Sequence, residues 1–311
     1  MPYPARAHIV EVGPRDGLQN EDVPIPTDAK VELIDRLSAS GLTHIEVTAF
    51  VNPARIPQLA DAEEVCKRID RKEGITYSAL VPNVKGYERA TGDAGLRDIA
   101  VFLSATESHS QRNIGTSIEG SFDRYAAVME RASADGVNVR GYVSVAFGCP
   151  YEGSVPRERV VQVARGLLDM GCYQVSLGDT TGLGNPAQVA HTVELLRGSG
   201  ASNAQIALHF HDTRGTGLAN ALAGLEAGVT TFDSSIGGLG GTPYAPGANG
   251  NLATDELVFM LEEMGVATGV DLETIVQAAD GLERVLGKEL PSRYLKATRA
   301  TQARDAGEAS A

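Results

Sequence analysis

The chain has 311 residues and a formal net charge of −13, and its sequence shows no extended basic stripe. Neutralising a nucleic-acid backbone requires clustered Lys and Arg, so this charge balance argues against nucleic acid as the main partner. No run of about 18 consecutive apolar residues is present, which excludes a membrane-spanning helix.

The N-terminal stretch "MPYPARAHIVEVGPRDG" has no basic region followed by a long apolar run. We therefore expect no secretory signal and a cytoplasmic location. The three cysteines, Cys66, Cys149 and Cys172, lie far apart without a CxxC spacing. We expect them to be small buried hydrophobic residues in a reducing compartment, without a zinc ribbon or a disulfide framework.

Eight β-like runs alternate with amphipathic helix-like segments along the chain. In order, the runs are "AHIVEVG", "THIEVTAF", "ITYSALVP", "LRDIAVFLSA", "VNVRGYVSVAFG", "YQVSLGD", "AQIALHFH" and "VTTFDSSIG". The helix-like segment "NLATDELVFMLEEMG" completes the eighth unit. Eight β/α repeats over about 265 residues predict a (βα)8 TIM barrel. A doubly wound open sheet is the alternative, although "GPRDGLQNE" lacks the glycine fingerprint of dinucleotide-binding folds.

We expect residues 1–311 to form a single domain. The barrel is predicted over about residues 6–266, followed by a C-terminal helical extension over about residues 267–298. Residues from about 299 to 311 are predicted to form a frayed tail.

Polar residues occur where the predicted strands end, which is the edge that carries the chemistry of such barrels. The first strand is followed by Arg15 and Asp16, the second carries Glu46, and the sixth ends in Asp179. The seventh ends in a pair of histidines, His209 and His211, in a chain that has six in all.

Residues two apart on a strand face the same side, so His209 and His211 are predicted to point together into the barrel mouth, with Phe210 facing outwards. We interpret the pair as metal ligands acting with Asp16. The alternative is two histidines that are hydrogen-bonded to neighbouring backbone groups. Two imidazoles with carboxylate oxygens favour Mg²⁺ or Mn²⁺ over Zn²⁺, since no thiolate is near in sequence.

Glu46 and Asp179 are candidates for orienting the ligands and metal-bound waters. A structural salt bridge to Arg15 is the alternative role for either carboxylate. The segment "GGLGGTPYAPGANGN", residues 237–251, is longer than an ordinary barrel connection. It is predicted to act as a lid, because its glycines do not match the spacing of a phosphate-binding loop. Asn251 at its end is a candidate carbonyl ligand for the metal.

Six segments together resemble one enzyme family, the hydroxymethylglutaryl-CoA lyases of the divalent-metal lyase and synthase superfamily. They are "VEVGPRDGLQNE", "IEVTAFVNP", "GYVSVAFGCPYEG", "VSLGDTTGLGNP", "LHFHDTRGTGLANALAGLEAGV" and "GLGGTPYAPGANGNLATDELVFMLE". The match is collinear from about residue 8 to about residue 285. The resemblance implies a (βα)8 barrel that cleaves 3-hydroxy-3-methylglutaryl-CoA to acetyl-CoA and acetoacetate.

The resemblance also implies roles for individual residues. Arg15 matches the arginine that stabilises the enolate of the thioester product, and Glu46 and Asp179 match acidic residues that support the metal site and the proton transfers. A carboxylate such as Asp16 or the imidazole of His211 is the candidate acceptor of the alcohol proton. The metal ligands of the family are matched by Asp16, His209, His211 and Asn251. The implied partner is an acyl-CoA thioester, and barrels of this kind commonly form homodimers.

One position departs from the family pattern. The family carries a cysteine directly before "PY" in the glycine-rich loop, where it takes part in proton transfer at the enolate carbon, and this chain has Thr242 there. An aliphatic alcohol is far less acidic than a thiol. Three interpretations follow: the same cleavage with the proton delivered by water or a carboxylate, cleavage of a neighbouring substrate such as citramalyl-CoA or a longer-branched homologue, or a non-catalytic CoA-ester binder. The last is disfavoured because every metal ligand is retained.

Replacing Thr242 by cysteine tests the role of this position. We expect Thr242→Cys to raise the turnover of hydroxymethylglutaryl-CoA, because a thiol is a competent proton donor near neutral pH. The measurement is the steady-state rate of acetyl-CoA release. A lower rate would mean that the loop is tuned to other chemistry.

Overall fold

The computed structural model describes residues 3–241 and 250–308. Eight parallel strands pair in chain order, and β1 closes on β8 to form a barrel. The strands are β1 (His8–Glu11), β2 (His44–Ala49), β3 (Thr76–Leu80), β4 (Asp98–Ser104), β5 (Asn138–Ser144), β6 (Gln174–Asp179), β7 (Ile206–Phe210) and β8 (Thr231–Ser234). The predicted TIM barrel is confirmed, and the open doubly wound sheet is wrong.

Helices surround the barrel and follow the strands in the predicted alternation. They are α1 (Thr27–Ser38), α2 (Ala62–Arg68), α3 (Val84–Glu88), α4 (Glu107–Ile114), α5 (Ile118–Asp135), α6 (Arg157–Asp169), α7 (Pro186–Gly198), α8 (Gly217–Glu226), α9 (Thr254–Glu263), α10 (Leu272–Leu286) and α11 (Arg293–Glu308). Local sequence sets several ends. A capping box of Asn185 and Gln188 begins α7, and Gly136, at a φ of 65°, ends α5.

The hydrophobic core lies between the strands and the helices. On β7, Ile206, Leu208 and Phe210 belong to this core, whereas His209 between them faces the barrel interior. The interior is unusually polar for a fold that fills this space with branched apolar side chains. Buried Arg140 on β5 and Asp233 on β8 are among the side chains that fill it. Strand alternation therefore separates an apolar outer face from a polar inner one.

The cysteines are free and buried, as predicted. Burial raises the pKa of Cys66 and of Cys172 to about 12, which keeps both as thiols. Within the two described ranges, no helix combines the length and the apolar character that crossing a bilayer requires.

Two helices, α10 and α11, follow the last barrel unit, where the sequence predicts a helical extension. The structure differs from the prediction at residues 299–308, which belong to α11 where a frayed tail was expected. Ion pairs hold the start of this stretch, because Arg299 Nη2 lies 2.6 Å from Asp280 and 2.9 Å from Glu283 of α10. Sequence composition does not reveal such tertiary contacts.

The extension also contacts the mouth of the barrel. The Arg293 backbone amide donates to Glu256 at 2.6 Å. The Arg293 guanidinium lies 3.0 Å from the carboxylate of Asp212, the residue that directly follows His211. The C-terminal helices are therefore attached to the segment that carries His211.

Glu11 at the end of β1 connects three parts of the barrel edge. Its carboxylate accepts hydrogen bonds from the amides of Gly13 at 2.7 Å and Ile236 at 2.9 Å, and from the Thr254 hydroxyl at 2.6 Å. Burial raises the pKa of Glu11 to about 7, so the ionised form is costly and these three donors offset the cost.

We expect Glu11→Ala to lower the free energy of unfolding by about 3 kcal/mol or more, because it leaves the buried amides of Gly13 and Ile236 without an acceptor. Chemical denaturation measures this change. The control is Glu32→Ala, which removes an exposed pair with Arg36 on α1 and is expected to change stability by less than about 0.5 kcal/mol. Equal stability of the two variants would contradict the proposed connection.

Candidate metal centre

Arg15 and Asp16 lie in a π-helical turn, Gly13–Gly17, that directly follows β1. The amide of Asp16 donates to the Val12 carbonyl at 2.7 Å, which fixes the turn to the end of the strand. Both side chains are largely buried and line a cavity in the barrel mouth. The tight turn therefore places a cation and an anion at the carboxyl edge of the sheet.

The carboxylate of Asp16 faces two imidazoles, those of His209 within β7 and of His211 directly after it. One ligand atom from each of Asp16, His209 and His211 lies within 4.8 Å of the other two. His209 Nε2 is 3.9 Å from Asp16 Oδ2. The predicted meeting of the first and seventh strand ends is confirmed, and the three side chains form a possible metal site.

Asn251 reaches the same point because residues 250–252 pair with residues 210–212 at the end of β7. The Leu252 amide donates to the Phe210 carbonyl at 2.9 Å, and the Asp212 amide donates to the Gly250 carbonyl at 2.8 Å. The Asn251 amide group donates from Nδ2 to Asp16 Oδ2 at 2.9 Å. We call Asp16, His209, His211 and Asn251 together the candidate metal centre.

A glycine is required beside this asparagine. Gly240 has a φ of 120°, and a Cβ added there would lie 2.6 Å from Asn251 Nδ2. Any side chain at this position would displace the Asn251 amide. The glycine-rich character of the loop thus has a direct steric cause at residue 240.

The donor atoms of the candidate metal centre fit a divalent cation. Asn251 Oδ1 and His211 Nδ1 are buried and have no hydrogen-bond partner in the described part of the chain. Buried polar atoms are normally satisfied, so such a group of orphaned acceptors points to a missing ligand. It also argues against histidines held by neighbouring backbone groups. Oxygen and imidazole donors without a thiolate suit Mg²⁺ or Mn²⁺ chemistry.

Arg15 connects Glu46 to Asp16. Its Nε donates to Glu46 Oε2 at 2.6 Å, and its Nη1 pairs with Asp16 Oδ1. Burial alone would raise the pKa of Asp16, but the charge of Arg15, assisted by the two imidazoles, lowers it below its ordinary value. Glu46 therefore forms a salt bridge with Arg15, which was the alternative role considered for this carboxylate. Its other oxygen, Oε1, has no hydrogen-bond partner among the described residues.

Asp179 ends β6 at the same edge but is engaged elsewhere. Its carboxylate accepts hydrogen bonds from the amides of Leu183 at 2.9 Å and Gly184 at 3.0 Å. Burial raises the pKa of Asp179 to about 6, although the two hydrogen bonds lower it. Among the described residues, Asp179 therefore stabilises the loop after β6 and forms no salt bridge with Arg15. Thr242 lies outside the described residues.

Asp16, His209 and His211 of the candidate metal centre line a cavity of about 520 Å³. Farther out, its wall carries the side chains Val51, Asn52, Arg55, Ile56, Leu80, Pro82, Asn83, Asn113, Ile114 and Arg124. This outer wall is apolar and amide-rich, and its charged side chains are both arginines. A neutral chain with an anionic end fits such a wall.

Three polar residues inside the barrel, Arg140, Tyr142 and Asp233, were not predicted from the sequence. Arg140 Nη2 lies 2.6 Å from Asp233 Oδ1, and Asp233 Oδ2 lies 3.4 Å from His209 Nδ1. Tyr142 accepts from Arg140 at 3.0 Å and donates to Glu46 at 3.4 Å. The available signal was a charged residue at an alternate position within the runs "VNVRGYVSVAFG" and "VTTFDSSIG".

Comparison with known proteins identifies the family. The HMGL-like family model matches residues 6–281. The chain belongs to the HMGL-like family. The hydroxymethylglutaryl-CoA lyase YngG of Bacillus subtilis is 50% identical over 296 residues, covering 95% of this chain and 98% of that protein.

Solved structures agree with this assignment to the HMGL-like family. The crystal structure of the Bacillus subtilis HMG-CoA lyase has a TM-score of 0.94 at 49% identity, covering 96% of this chain and all of that one (100%). An HMG-CoA lyase from Acinetobacter baumannii, solved in complex with coenzyme A and 3-methylmalate, has a TM-score of 0.90 at 40% identity and covers 96% of each chain.

The orphaned carbonyl of Asn251 generates a direct prediction. We expect Asn251→Ala to weaken Mn²⁺ binding at least about tenfold, because it removes one donor and the hydrogen bond that orients Asp16. Electron paramagnetic resonance of free Mn²⁺ gives the Kd. The control, Asn138→Ala, changes an exposed residue at the opposite end of the barrel and should leave the Kd unchanged. Equal affinity of both variants would exclude Asn251 as a ligand.

Proposed function

We propose that this protein is a metal-dependent carbon–carbon lyase that cleaves 3-hydroxy-3-methylglutaryl-CoA to acetyl-CoA and acetoacetate. The observation that carries the proposal is the candidate metal centre beside the buried Arg15 in the cavity of the barrel mouth. The relatives named hydroxymethylglutaryl-CoA lyase, which match nearly the full chain, support the choice of substrate.

The proposed cofactor is Mg²⁺ or Mn²⁺, held by Asp16, His209, His211 and Asn251. When bound, such an ion supplies Lewis acidity that lowers the pKa of the tertiary alcohol of the substrate. Asp16 and His211 are the candidate acceptors of the hydroxyl proton, through a carboxylate oxygen and a ring nitrogen respectively. We propose that Glu46 and Asp179 support this site and its proton transfers.

The electron pair of the broken C2–C3 bond passes to the thioester, where an enolate develops, while the other fragment leaves as acetoacetate. Arg15 is the residue proposed to meet the enolate oxygen. Its guanidinium is permanently charged and lines the cavity, and Glu46 holds it at Nε. A fixed cation of this kind stabilises a developing negative charge more strongly in a buried site than in water. Protonation of the enolate carbon then yields acetyl-CoA, and Thr242 marks the loop position from which the family delivers that proton.

The proposed substrate is an acyl-CoA thioester, and the outer cavity wall supports this. Arg55 and Arg124 lie on that wall. In a protein with a net charge of −13, local cations are needed to bind an anionic nucleotide. A cytoplasmic location and a homodimeric assembly complete the proposal.

The proposal is tested with purified full-length protein and a panel of thioesters that includes hydroxymethylglutaryl-CoA and citramalyl-CoA. We expect acetyl-CoA release from the first, lost on metal depletion and restored by Mg²⁺ or Mn²⁺. Full activity of the metal-free protein would rule the mechanism out. Release from citramalyl-CoA alone would reassign the substrate, and tight CoA-ester binding without release from any thioester would identify a non-catalytic binder.

Arg15 provides a separate kinetic prediction. We expect Arg15→Gln to lower kcat by roughly 10²–10³, which is the usual effect of removing one donor to a developing oxyanion. The control is Arg36→Gln on the exposed face of α1, which should keep the wild-type kcat. If Arg15→Gln retained kcat within about threefold, another group would have to stabilise the enolate.

A further inference from the structure

A buried ion pair inside the barrel fixes the carboxylate of Asp233. Arg140 donates to both of its oxygens, from Nη2 to Oδ1 at 2.6 Å and from Nη1 to Oδ2 at 3.2 Å. The Ser176 hydroxyl donates to Oδ2 at 2.8 Å. Arg140 is itself held by Gln174 at 3.0 Å. Asp233 is about 1% exposed, so this carboxylate has little freedom to move.

The fixed carboxylate faces a ligand of the candidate metal centre. Asp233 Oδ2 lies 3.4 Å from His209 Nδ1, and the two residues are register partners on β8 and β7. This distance is beyond ordinary hydrogen-bond length, yet Nδ1 has no other partner among the described residues. The opposite ring nitrogen, Nε2, points towards Asp16. One nitrogen of His209 therefore faces a carboxylate, and the other faces the metal position.

We propose that Asp233 is a positioning residue of the metal centre and acts through His209. A carboxylate behind an imidazole holds the proton on Nδ1 and orients the ring, which leaves the Nε2 lone pair for the metal. Arg140 and Ser176 keep the carboxylate in place. The inference rests on the proposed metal site and adds to it a residue that does not contact the ion. The competing role is structural, with Asp233 present only to neutralise Arg140.

Asp233→Asn is the first variant. An amide has a single acceptor oxygen, which Arg140 retains, so its NH₂ group turns to His209 Nδ1 and favours the proton on the wrong nitrogen. We expect the Kd for Mn²⁺, measured by electron paramagnetic resonance on the full chain, to rise about 10- to 100-fold. The control Asp98→Asn changes a half-buried aspartate on β4 and should leave the Kd within about threefold.

A second variant separates positioning from stability, because Asp233→Asn leaves Arg140 as an unpaired buried charge. The double variant Arg140→Met/Asp233→Leu removes both charges, and such replacements are often tolerated. We expect it to fold, with a cooperative thermal transition near that of the wild type, and to keep the weakened Mn²⁺ binding.

The outcomes distinguish the two proposals. Wild-type protein that fails to bind Mn²⁺ would overturn the metal-dependent function itself. Wild-type binding together with wild-type affinity in either folded variant would overturn the role of Asp233 alone. Loss of the fold in both variants would assign Arg140 and Asp233 a structural role and count equally against the proposal.

Discussion

The site depends on the close approach of the Asp16 carboxylate to the two imidazoles at the end of β7. The residues lie almost two hundred positions apart in the chain, and only closure of the eight-stranded barrel brings the ends of β1 and β7 to one ring of loops. The sheet fixes the direction of each side chain by alternation, and the turn after β1 fixes that of Asp16. The cation-binding geometry is thus a property of the closed barrel and of no single loop.

Around this contact, the buried side chains form a ring of partners. From Arg140 the ring passes to Asp233, His209, Asp16, Arg15, Glu46 and Tyr142, and it returns to Arg140 through the tyrosine hydroxyl. Each buried charge has an opposite charge beside it, which is the condition under which burial is tolerated. Two guanidinium groups face three carboxylates, so the ring has an excess of negative charge. A bound divalent cation would remove that excess.

The sequence predicted much of this arrangement because the signals were local. Strand alternation gave the directions of His209 and His211, and the repeated β/α units gave the barrel. The position of Asn251 was weakly predicted, since it depends on residues 250–252 returning to pair at the end of β7. The pairing of Glu46 with Arg15 stayed one of two alternatives, because strand patterns do not show which neighbour across the barrel a carboxylate contacts.

Asp233 and Arg140 were not predicted from the sequence, for a different reason. A charged residue within a strand can face solvent or the interior, and the chain alone does not distinguish these outcomes until the barrel is closed. The helix over residues 299–308 was missed because its support is an ion pair with α10 and lies outside its own segment. In both cases the deciding interaction is tertiary and electrostatic. Local propensity therefore sets the elements of this fold, while paired buried charges decide which side chains reach the centre of the barrel.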